Sequence, residues 1–143
     1  MIESPHFGIK ELVCQHVYNK YKNFAWNFFD FRLIVTINTL RDRINKAIYV
    51  NSWDSGGKFD ERGLRCPQCE IVKSKTDLYM SAHCLGKGVD LEVEGLIAQE
   101  VRDWIILHKN WWPYPIRLED EVDWIHVDTY NNEDDKKVIL FKA

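Results

Sequence analysis

The sequence predicts an α+β fold in which a small antiparallel sheet packs against helices. Three observations favour it: two segments repeat apolar residues at helical spacing, five short runs have the composition of strands, and the length is 143 residues. That length is typical of one domain, and no repeat or Pro/Gly/Ser-rich linker divides the chain. We therefore expect residues 1–143 to form a single domain.

Two segments have the apolar periodicity of amphipathic helices. The first begins after Asp30, a suitable N-cap, and is expected to end near Asn45. Its apolar residues recur at spacings of four, three and four along one face: Leu33, Ile37, Leu40 and Ile44. The second lacks a strong N-cap but keeps helical spacing through Ile97, Val101, Trp104, Ile105 and His108.

Short apolar runs predict the strands, and in residues 89–93 apolar and acidic residues alternate as in a strand with one face on a core. The runs cover residues 48–50, 89–93, 116–118, 124–128 and 138–141. Because most of these runs follow one another closely in the chain, we expect antiparallel pairing. The stretch between residues 52 and 80 has no regular pattern, which is typical of a functional segment such as the wall of a binding cleft.

The composition excludes several function classes. Lys and Arg number 19 against 22 Asp and Glu, and no basic run occurs, so we expect no nucleic-acid partner. No apolar run approaches the roughly 20 residues that cross a bilayer, and the start of the chain does not resemble a secretion signal. We expect synthesis in the cytoplasm, no membrane partner and four reduced cysteines.

Two histidines and one aspartate form the strongest candidate for a metal site: His83, Asp90 and His126. Gly86 and Gly88 lie between the first two and allow the backbone to turn sharply. Nitrogen and oxygen ligands suit zinc, and three protein ligands leave a fourth position for water, as in catalytic zinc centres. Zinc lowers the pKa of that water to near 7. The sequence thus predicts one Zn²⁺ ion.

The segment SAHCLGKGVD, residues 81–90, resembles the SxHxxGxAxD signature of the M15 peptidases. This family of zinc D-Ala-D-Ala carboxypeptidases and dipeptidases shares its fold, the Hedgehog/DD-peptidase fold, with the Hedgehog signalling domain. Gly88 stands where the family usually has alanine. The resemblance extends in order from about residue 48 to residue 128. It implies the same fold, the same zinc ligands and hydrolysis of peptide bonds.

The same resemblance assigns roles to residues beside the zinc. The family's second signature has an acidic general base three residues before the last zinc histidine, which implies Asp123. The substrate arginine of the phage-type branch is matched by Arg65 in the segment GLRCP, or by Arg62 three residues earlier. Ser81 and Arg65 are expected to bind the substrate's carbonyl or carboxylate, because a guanidinium offers a planar fork of donors.

Strand geometry restricts the choice of base. Residues three apart on a regular strand point to opposite faces, so the strand that carries His126 must begin after Asp123 or contain a bulge there. Glu121 and Asp128 are the alternative bases. Asp128 shares a face with His126 and is better suited to orient that histidine.

The function implied by the resemblance is zinc-dependent hydrolysis of peptide bonds in peptidoglycan stem peptides. The activity is either that of a D-Ala-D-Ala carboxypeptidase or that of an L-Ala-D-Glu-type endopeptidase. The small chain is similar to phage endolysins, which implies a monomer that acts at the cell wall. The alternative is a non-catalytic, zinc-bearing module that binds peptides or the cell wall, because members of the wider fold group keep the metal and lose hydrolysis.

Cys66 and Cys69 form an isolated CxxC pair. A structural zinc site needs a second CxxC or a histidine pair, and Cys14 and Cys84 stand in no such motif. We expect two reduced thiols in a loop, with a structural zinc site and a redox pair as the alternatives. His16 has no partner pattern and is expected to be a surface or capping residue.

Overall fold

A five-stranded sheet with helices packed against it forms the framework of the fold. The computed structural model describes residues 3–131 and 135–143. The helices are α1 (Ile9–Leu12), α2 (Gln15–Tyr21), α3 (Phe31–Ile44), α4 (Glu70–Lys73) and α5 (Ala98–Leu107). The strands are β1 (Ile48–Tyr49), β2 (Gly88–Val93), β3 (Ile116–Glu119), β4 (Ile125–Asp128) and β5 (Val138–Phe141). Short 3₁₀ helices cover Lys22–Phe28, Trp53–Ser55 and Lys109–Trp111.

The strands follow the order β1-β2-β4-β3-β5 across the sheet. The pairs β1–β2, β2–β4 and β4–β3 are antiparallel, as predicted, whereas β5 pairs with β3 in parallel. The expectation of a purely antiparallel sheet is therefore wrong at one edge. Because β4 already has neighbours on both sides, the chain that reverses after β4 pairs at the free edge of β3. At that edge β5 runs in the same direction as β3.

The two helices predicted from periodicity are confirmed. The Asp30 carboxylate caps α3 by accepting a hydrogen bond from the Arg32 backbone N–H at 2.9 Å. Asn45 ends this helix in the left-handed conformation, with a φ of 51°. At the start of α5 the Glu100 carboxylate accepts a hydrogen bond from the Ile97 N–H at 2.9 Å. This contact supplies the cap that the sequence pattern did not reveal.

The N-terminal segment before α3 is also helical, although its apolar pattern predicts no element. The elements there are α1, α2 and the 3₁₀ helix, each too short for a repeat over several turns. They contribute buried residues to the core: Leu12, Val13, Val17, Ala25 and Trp26. No helix in the described ranges combines the length and the apolar composition that a membrane crossing would require.

The two faces of the sheet differ in chemistry because successive side chains of a strand alternate between them. One face is apolar, at most 1% exposed and part of the core, and it includes Val89, Leu91, Leu118 and Val127. Asp90, His126 and Asp128 alternate with these residues along β2 and β4. The opposite face therefore carries the polar side chains, and we call it the polar face.

A close backbone contact at Gly63 joins the irregular stretch to the N-terminal helices. The Leu64 N–H donates to the Leu12 carbonyl at 2.8 Å, and the Cys14 N–H donates to the Leu64 carbonyl at 3.3 Å. These bonds form a parallel bridge between Val13 and Leu64. A Cβ atom on Gly63 would lie 2.0 Å from the Leu12 carbonyl oxygen. Only glycine therefore fits here without a shift of the backbone.

Replacing Gly63 by alanine tests this contact. We expect Gly63→Ala to lower the free energy of unfolding by about 2–3 kcal/mol, because the new methyl group forces the two backbone segments apart. Gly8→Ala is the matched control, since its Cβ would meet only the Glu11 carboxylate, at 3.5 Å. Urea unfolding followed by circular dichroism measures both variants. Equal stability of the two variants would contradict the constraint at Gly63.

Candidate functional site

Three side chains from different segments converge at the polar face. Asp90 in β2 and His126 in β4 are partners in the strand register, and their Oδ1 and Nδ1 atoms lie 2.8 Å apart. His83, in the turn before β2, brings its Nε2 to 3.3 Å from the same Asp90 oxygen. The three potential ligand atoms lie within 4.8 Å of one another, so this triad of His83, Asp90 and His126 could hold a metal ion.

In each triad histidine, the ring nitrogen that does not face Asp90 also has a hydrogen-bond partner. His83 Nδ1 donates to the Gly63 carbonyl at 2.9 Å, so Nε2 is the nitrogen that faces Asp90 within the triad. His126 Nε2 lies 2.7 Å from Oδ2 of Asp128. Asp128 is fully buried and accepts two hydrogen bonds from Arg117, both at 2.9 Å. This is the contact expected of Asp128 as the group that orients His126.

Arg65 holds the other oxygen of Asp90. Its Nη2 donates to Asp90 Oδ2 at 3.1 Å, so Oδ1 is the oxygen that faces the two imidazoles. The other guanidinium donors bind the Glu61 carbonyl at 2.5 Å and the Tyr79 hydroxyl at 3.2 Å. Arg65 therefore fixes the orientation of the Asp90 carboxylate from within the site.

The structure separates the two arginines between which the resemblance did not choose. Arg62 donates to Glu92 at 3.1 Å and stacks on Phe59, with its guanidinium carbon 3.4 Å from the ring centroid. It lines a different cavity, together with Lys10 of α1 and residues of the irregular stretch such as Phe59. Arg65 is the arginine that lies beside the triad.

The charges of the triad depend on one another. Burial opposes the charged form of Asp90, but hydrogen bonds from His126 and His83 hold the pKa of this carboxyl below its usual range. Burial also disfavours a charged His126, yet its hydrogen bonds to Asp128 and Asp90 raise the pKa of this imidazole to about 9. The two carboxylates thus create a local environment that favours a cation.

The triad lines a cavity of about 440 Å³ at the polar face. Ser81, predicted to bind substrate, lies in its wall with Arg65. Glu119 also lines the cavity, and it follows Leu118, which pairs with Val127 in the register of β3 and β4. The remaining lining includes basic and aromatic side chains, among them Lys75, Tyr79, Arg117, Trp124 and Tyr130.

The predicted base, Asp123, is not among the described residues that line this cavity. It is exposed and lines a neighbouring cavity between the end of β2 and the start of α5. β4 begins at Ile125, so the strand does begin after Asp123, as the alternation of side chains required.

The alternative base Glu121 forms an exposed ion pair with Lys142 at 2.7 Å. Glu119 was not singled out by the sequence, because only the pairing of the strands brings it to the triad.

A second group of potential ligands lies where α2 and α4 begin. Cys66 Sγ is 3.7 Å from His16 Nδ1 and 3.9 Å from Cys69 Sγ, which is itself 4.0 Å from His16 Nδ1. With Cys14 Sγ these atoms lie within 4.8 Å of one another, so this cysteine–histidine cluster could hold a metal ion such as zinc. A hydrogen bond from Cys69 lowers the pKa of Cys14 to about 5 and raises that of Cys69. The thiolate is the form of cysteine that binds metals.

The cysteine–histidine cluster corrects the expectation that Cys14 and His16 have no partners. The thiols are free, as expected, but the CxxC pair is not isolated in space. The sequence does carry a signal, C-x-H at residues 14–16 and C-x-x-C at residues 66–69, but His16 and Cys66 are 50 positions apart. The backbone bridge at Leu64 brings the two halves together. The expectation of one metal site thus becomes two candidate sites in the described part of the chain.

The two groups suit different kinds of metal site. The triad offers three protein ligands and borders a cavity, which leaves room for water or a substrate in the fourth position. The cysteine–histidine cluster offers four protein ligands, which complete a tetrahedral zinc site. The first arrangement is therefore suited to chemistry and the second to stabilising the fold.

Comparison of the chain with protein-family models, with curated proteins and with solved structures finds no match. The observations that bear on function are therefore the geometry of the two groups and the resemblance of residues 81–90 to the M15 signature.

Replacing the Asp128 carboxylate by a neutral amide tests whether Asp128 orients the His126 ring. We expect Asp128→Asn to weaken zinc binding at the triad by about 10- to 100-fold, because His126 loses the carboxylate that orients its ring. Competition with a fluorescent zinc chelator measures the affinity. Asp103→Asn, on the exposed side of α5, is the matched control. Unchanged affinity in Asp128→Asn would refute the orienting role.

Proposed function

We propose that this chain is a zinc peptidase of the Hedgehog/DD-peptidase type that hydrolyses peptide bonds in peptidoglycan stem peptides. The convergence of His83, Asp90 and His126 on one cavity carries the proposal. The resemblance of residues 81–90 to the M15 signature supports it, and a mixed sheet with packed helices is compatible with that fold. Two imidazoles and a carboxylate beside an open cavity form a ligand set that favours zinc.

The triad needs rigid support to act on a peptide bond. Zinc, when bound, supplies a Lewis acid for the peptide carbonyl and lowers the pKa of a water molecule towards neutrality. The protein's own contribution is to hold the ligands through Gly63, Arg65 and Asp128. Because each of these contacts restrains a ligand from behind, the ligand geometry is set before a substrate arrives.

A carboxylate is needed to take a proton from the attacking water and to pass it to the leaving amine. We assign this role to Asp123 or Glu119. The resemblance favours Asp123, whose neighbour Trp124 lines both cavities. The cavity lining favours Glu119, which lines the same cavity as His126.

The cavity suits a substrate that carries carboxylates, as stem peptides do. Arg65 and Ser81 bind the substrate's carbonyl or terminal carboxylate in this proposal, and Lys75 adds positive charge to the same cavity. D-Ala-D-Ala carboxypeptidase and L-Ala-D-Glu-type endopeptidase activities both fit this chemistry. In either case the chain would act as a monomer at the cell wall, as a phage endolysin does.

The alternative function is a zinc-bearing module that binds peptides or the cell wall without turnover. The position of Asp123 favours it, because this carboxylate lines a different cavity from the triad. Under this alternative, Glu119 does not replace Asp123 as a base. The two functions share the zinc ion and differ in whether a proton acceptor works beside it.

Activity against peptidoglycan separates the two functions. We expect the zinc-loaded chain to release D-Ala or shortened stem peptides from purified peptidoglycan, as detected by mass spectrometry. His83→Ala is expected to lose this activity because it removes a zinc ligand. His108→Ala is the matched control, since His108 Nδ1 bonds to the Trp104 carbonyl at the end of α5. If the wild-type chain binds zinc and stem peptides but releases no product, the peptidase is rejected and the binding module is favoured.

Two conservative variants identify the base. We expect one of Asp123→Asn and Glu119→Gln to keep its zinc and to lose at least about 10²-fold in turnover, because it removes the proton acceptor. The other variant is expected to stay within about tenfold of the wild type. Zinc content and product release are measured on the same preparations. Full activity in both variants would reject a carboxylate base at either position.

A further inference from the structure

The cysteine–histidine cluster of Cys14, His16, Cys66 and Cys69 has no part in the proposed peptidase chemistry. Its members are absent from the described lining of the triad's cavity. Cys14 and Cys69 are almost completely buried, whereas His16 is exposed and covers the cluster from the solvent side. The convergence of three thiols and an imidazole at the edge of the core therefore needs its own explanation.

The backbone around the CxxC pair is arranged to support its sulfur atoms. The Cys69 N–H donates to the Cys66 carbonyl at 3.0 Å, which closes a tight turn. The Cys66 N–H points at Cys69 Sγ at 3.4 Å. An N–H group directed at sulfur favours the thiolate over the thiol. The turn thus presents two sulfur atoms towards Cys14 and His16.

The three distances among Cys66, Cys69 and His16 are close to the edges of a zinc tetrahedron. Zn–S bonds of about 2.3 Å and Zn–N bonds of about 2.0–2.1 Å place two sulfurs about 3.8 Å apart and a sulfur and a nitrogen about 3.5 Å apart. The corresponding distances here are 3.9 Å between Cys66 and Cys69, and 3.7 Å and 4.0 Å from these sulfurs to His16. A disulfide would need about 2.05 Å. The spacing fits an ion between the ligands.

We propose that Cys14, His16, Cys66 and Cys69 bind a second zinc ion with a structural role. Thiolates and imidazole are the ligands that structural zinc prefers, and four of them close the coordination shell to substrate. The ion would cross-link the starts of α2 and α4, beside the backbone bridge between Val13 and Leu64. It would thereby fasten an irregular stretch that has few regular elements of its own.

A redox dithiol is the competing explanation for the CxxC pair. Such a pair needs two sulfurs, so it leaves Cys14 and the His16 ring at the same point without a role. The remaining cysteine, Cys84, is not a member of the cluster and accepts a hydrogen bond from the Ser81 hydroxyl at 3.4 Å. The selection of three of the four cysteines favours metal binding, and Cys84 provides a control.

The structural zinc would also position the triad. Gly63 accepts the hydrogen bond of His83, and Arg65 pairs with Asp90 and donates its backbone N–H to the His83 carbonyl at 3.2 Å. Cys66 follows directly, so the zinc anchors the segment that supports two of the three triad ligands. This consequence rests on the proposed function, whereas the binding of zinc by the cluster does not.

Metal analysis of the full chain tests the proposal. We expect two zinc ions per chain in the wild type, one in Cys66→Ser, one in His83→Ala and two in the control Cys84→Ser. Substitution by Co²⁺ distinguishes the sites, because only the cluster produces thiolate-to-metal charge-transfer absorption. This absorption is expected in His83→Ala and Cys84→Ser and is expected to be absent from Cys66→Ser.

If Cys66→Ser does not fold, variants of the exposed His16 still test zinc binding by the cluster. We expect His16→Ala to bind zinc at the cluster at least about tenfold more weakly and to melt at a lower temperature. His16→Cys is expected to restore both, since a Cys₄ set also binds structural zinc. Zinc affinity of the triad is expected to fall about tenfold in His16→Ala and to recover in His16→Cys.

The outcomes separate this proposal from the proposed function. One zinc ion per chain that His83→Ala removes, without thiolate absorption by Co²⁺, would overturn the structural site. A disulfide between Cys66 and Cys69 in the chain as purified under air, with no zinc at the cluster, would also overturn it. One zinc ion that Cys66→Ser removes and His83→Ala retains would support the structural site and contradict the peptidase.

Discussion

The candidate site depends on a single carboxylate, that of Asp90. Its Oδ1 lies 2.8 Å from His126 and 3.3 Å from His83, while Arg65 holds Oδ2 at 3.1 Å. Burial alone would favour the neutral acid, so the charge persists through these partners. The partners come from β4, from the turn before β2 and from the irregular stretch. The buried charge of Asp90 needs hydrogen-bond and ionic partners, and these partners come from three different parts of the chain.

Support for this carboxylate comes from strands on one side and from an irregular stretch on the other. The register of β2 with β4 fixes Asp90 against His126, and Asp128 restrains His126 from behind. The irregular stretch has no such ladder, so it relies on discrete contacts such as that of Gly63 with the N-terminal helices. A structural zinc at Cys66 would add a stronger contact at the same place. The two candidate metal sites are thus connected through residues 63–66, which contact the triad and include Cys66.

Local sequence patterns predicted those features that depend on neighbouring residues. The cap at Asp30 and the apolar period defined α3. The candidate ligands His83 and Asp90 followed from the segment 81–90, and His126 followed from its spacing to Asp123. Contacts that are set only by strand pairing or by the approach of segments without a recognised motif were missed. Glu119 reaches the triad through strand register, β5 is parallel because both sides of β4 are occupied, and His16 meets the CxxC pair across 50 positions. No single segment carries these relationships.

Anomalous diffraction at the zinc absorption edge, from crystals of the full chain grown with zinc, would show whether one ion joins the three side chains at the polar face. We expect an anomalous peak about 2.0–2.2 Å from His83 Nε2, Asp90 Oδ1 and His126 Nδ1. A zinc-saturated crystal with no peak at this position, and with Asp90 still hydrogen-bonded directly to His126, would contradict this expectation.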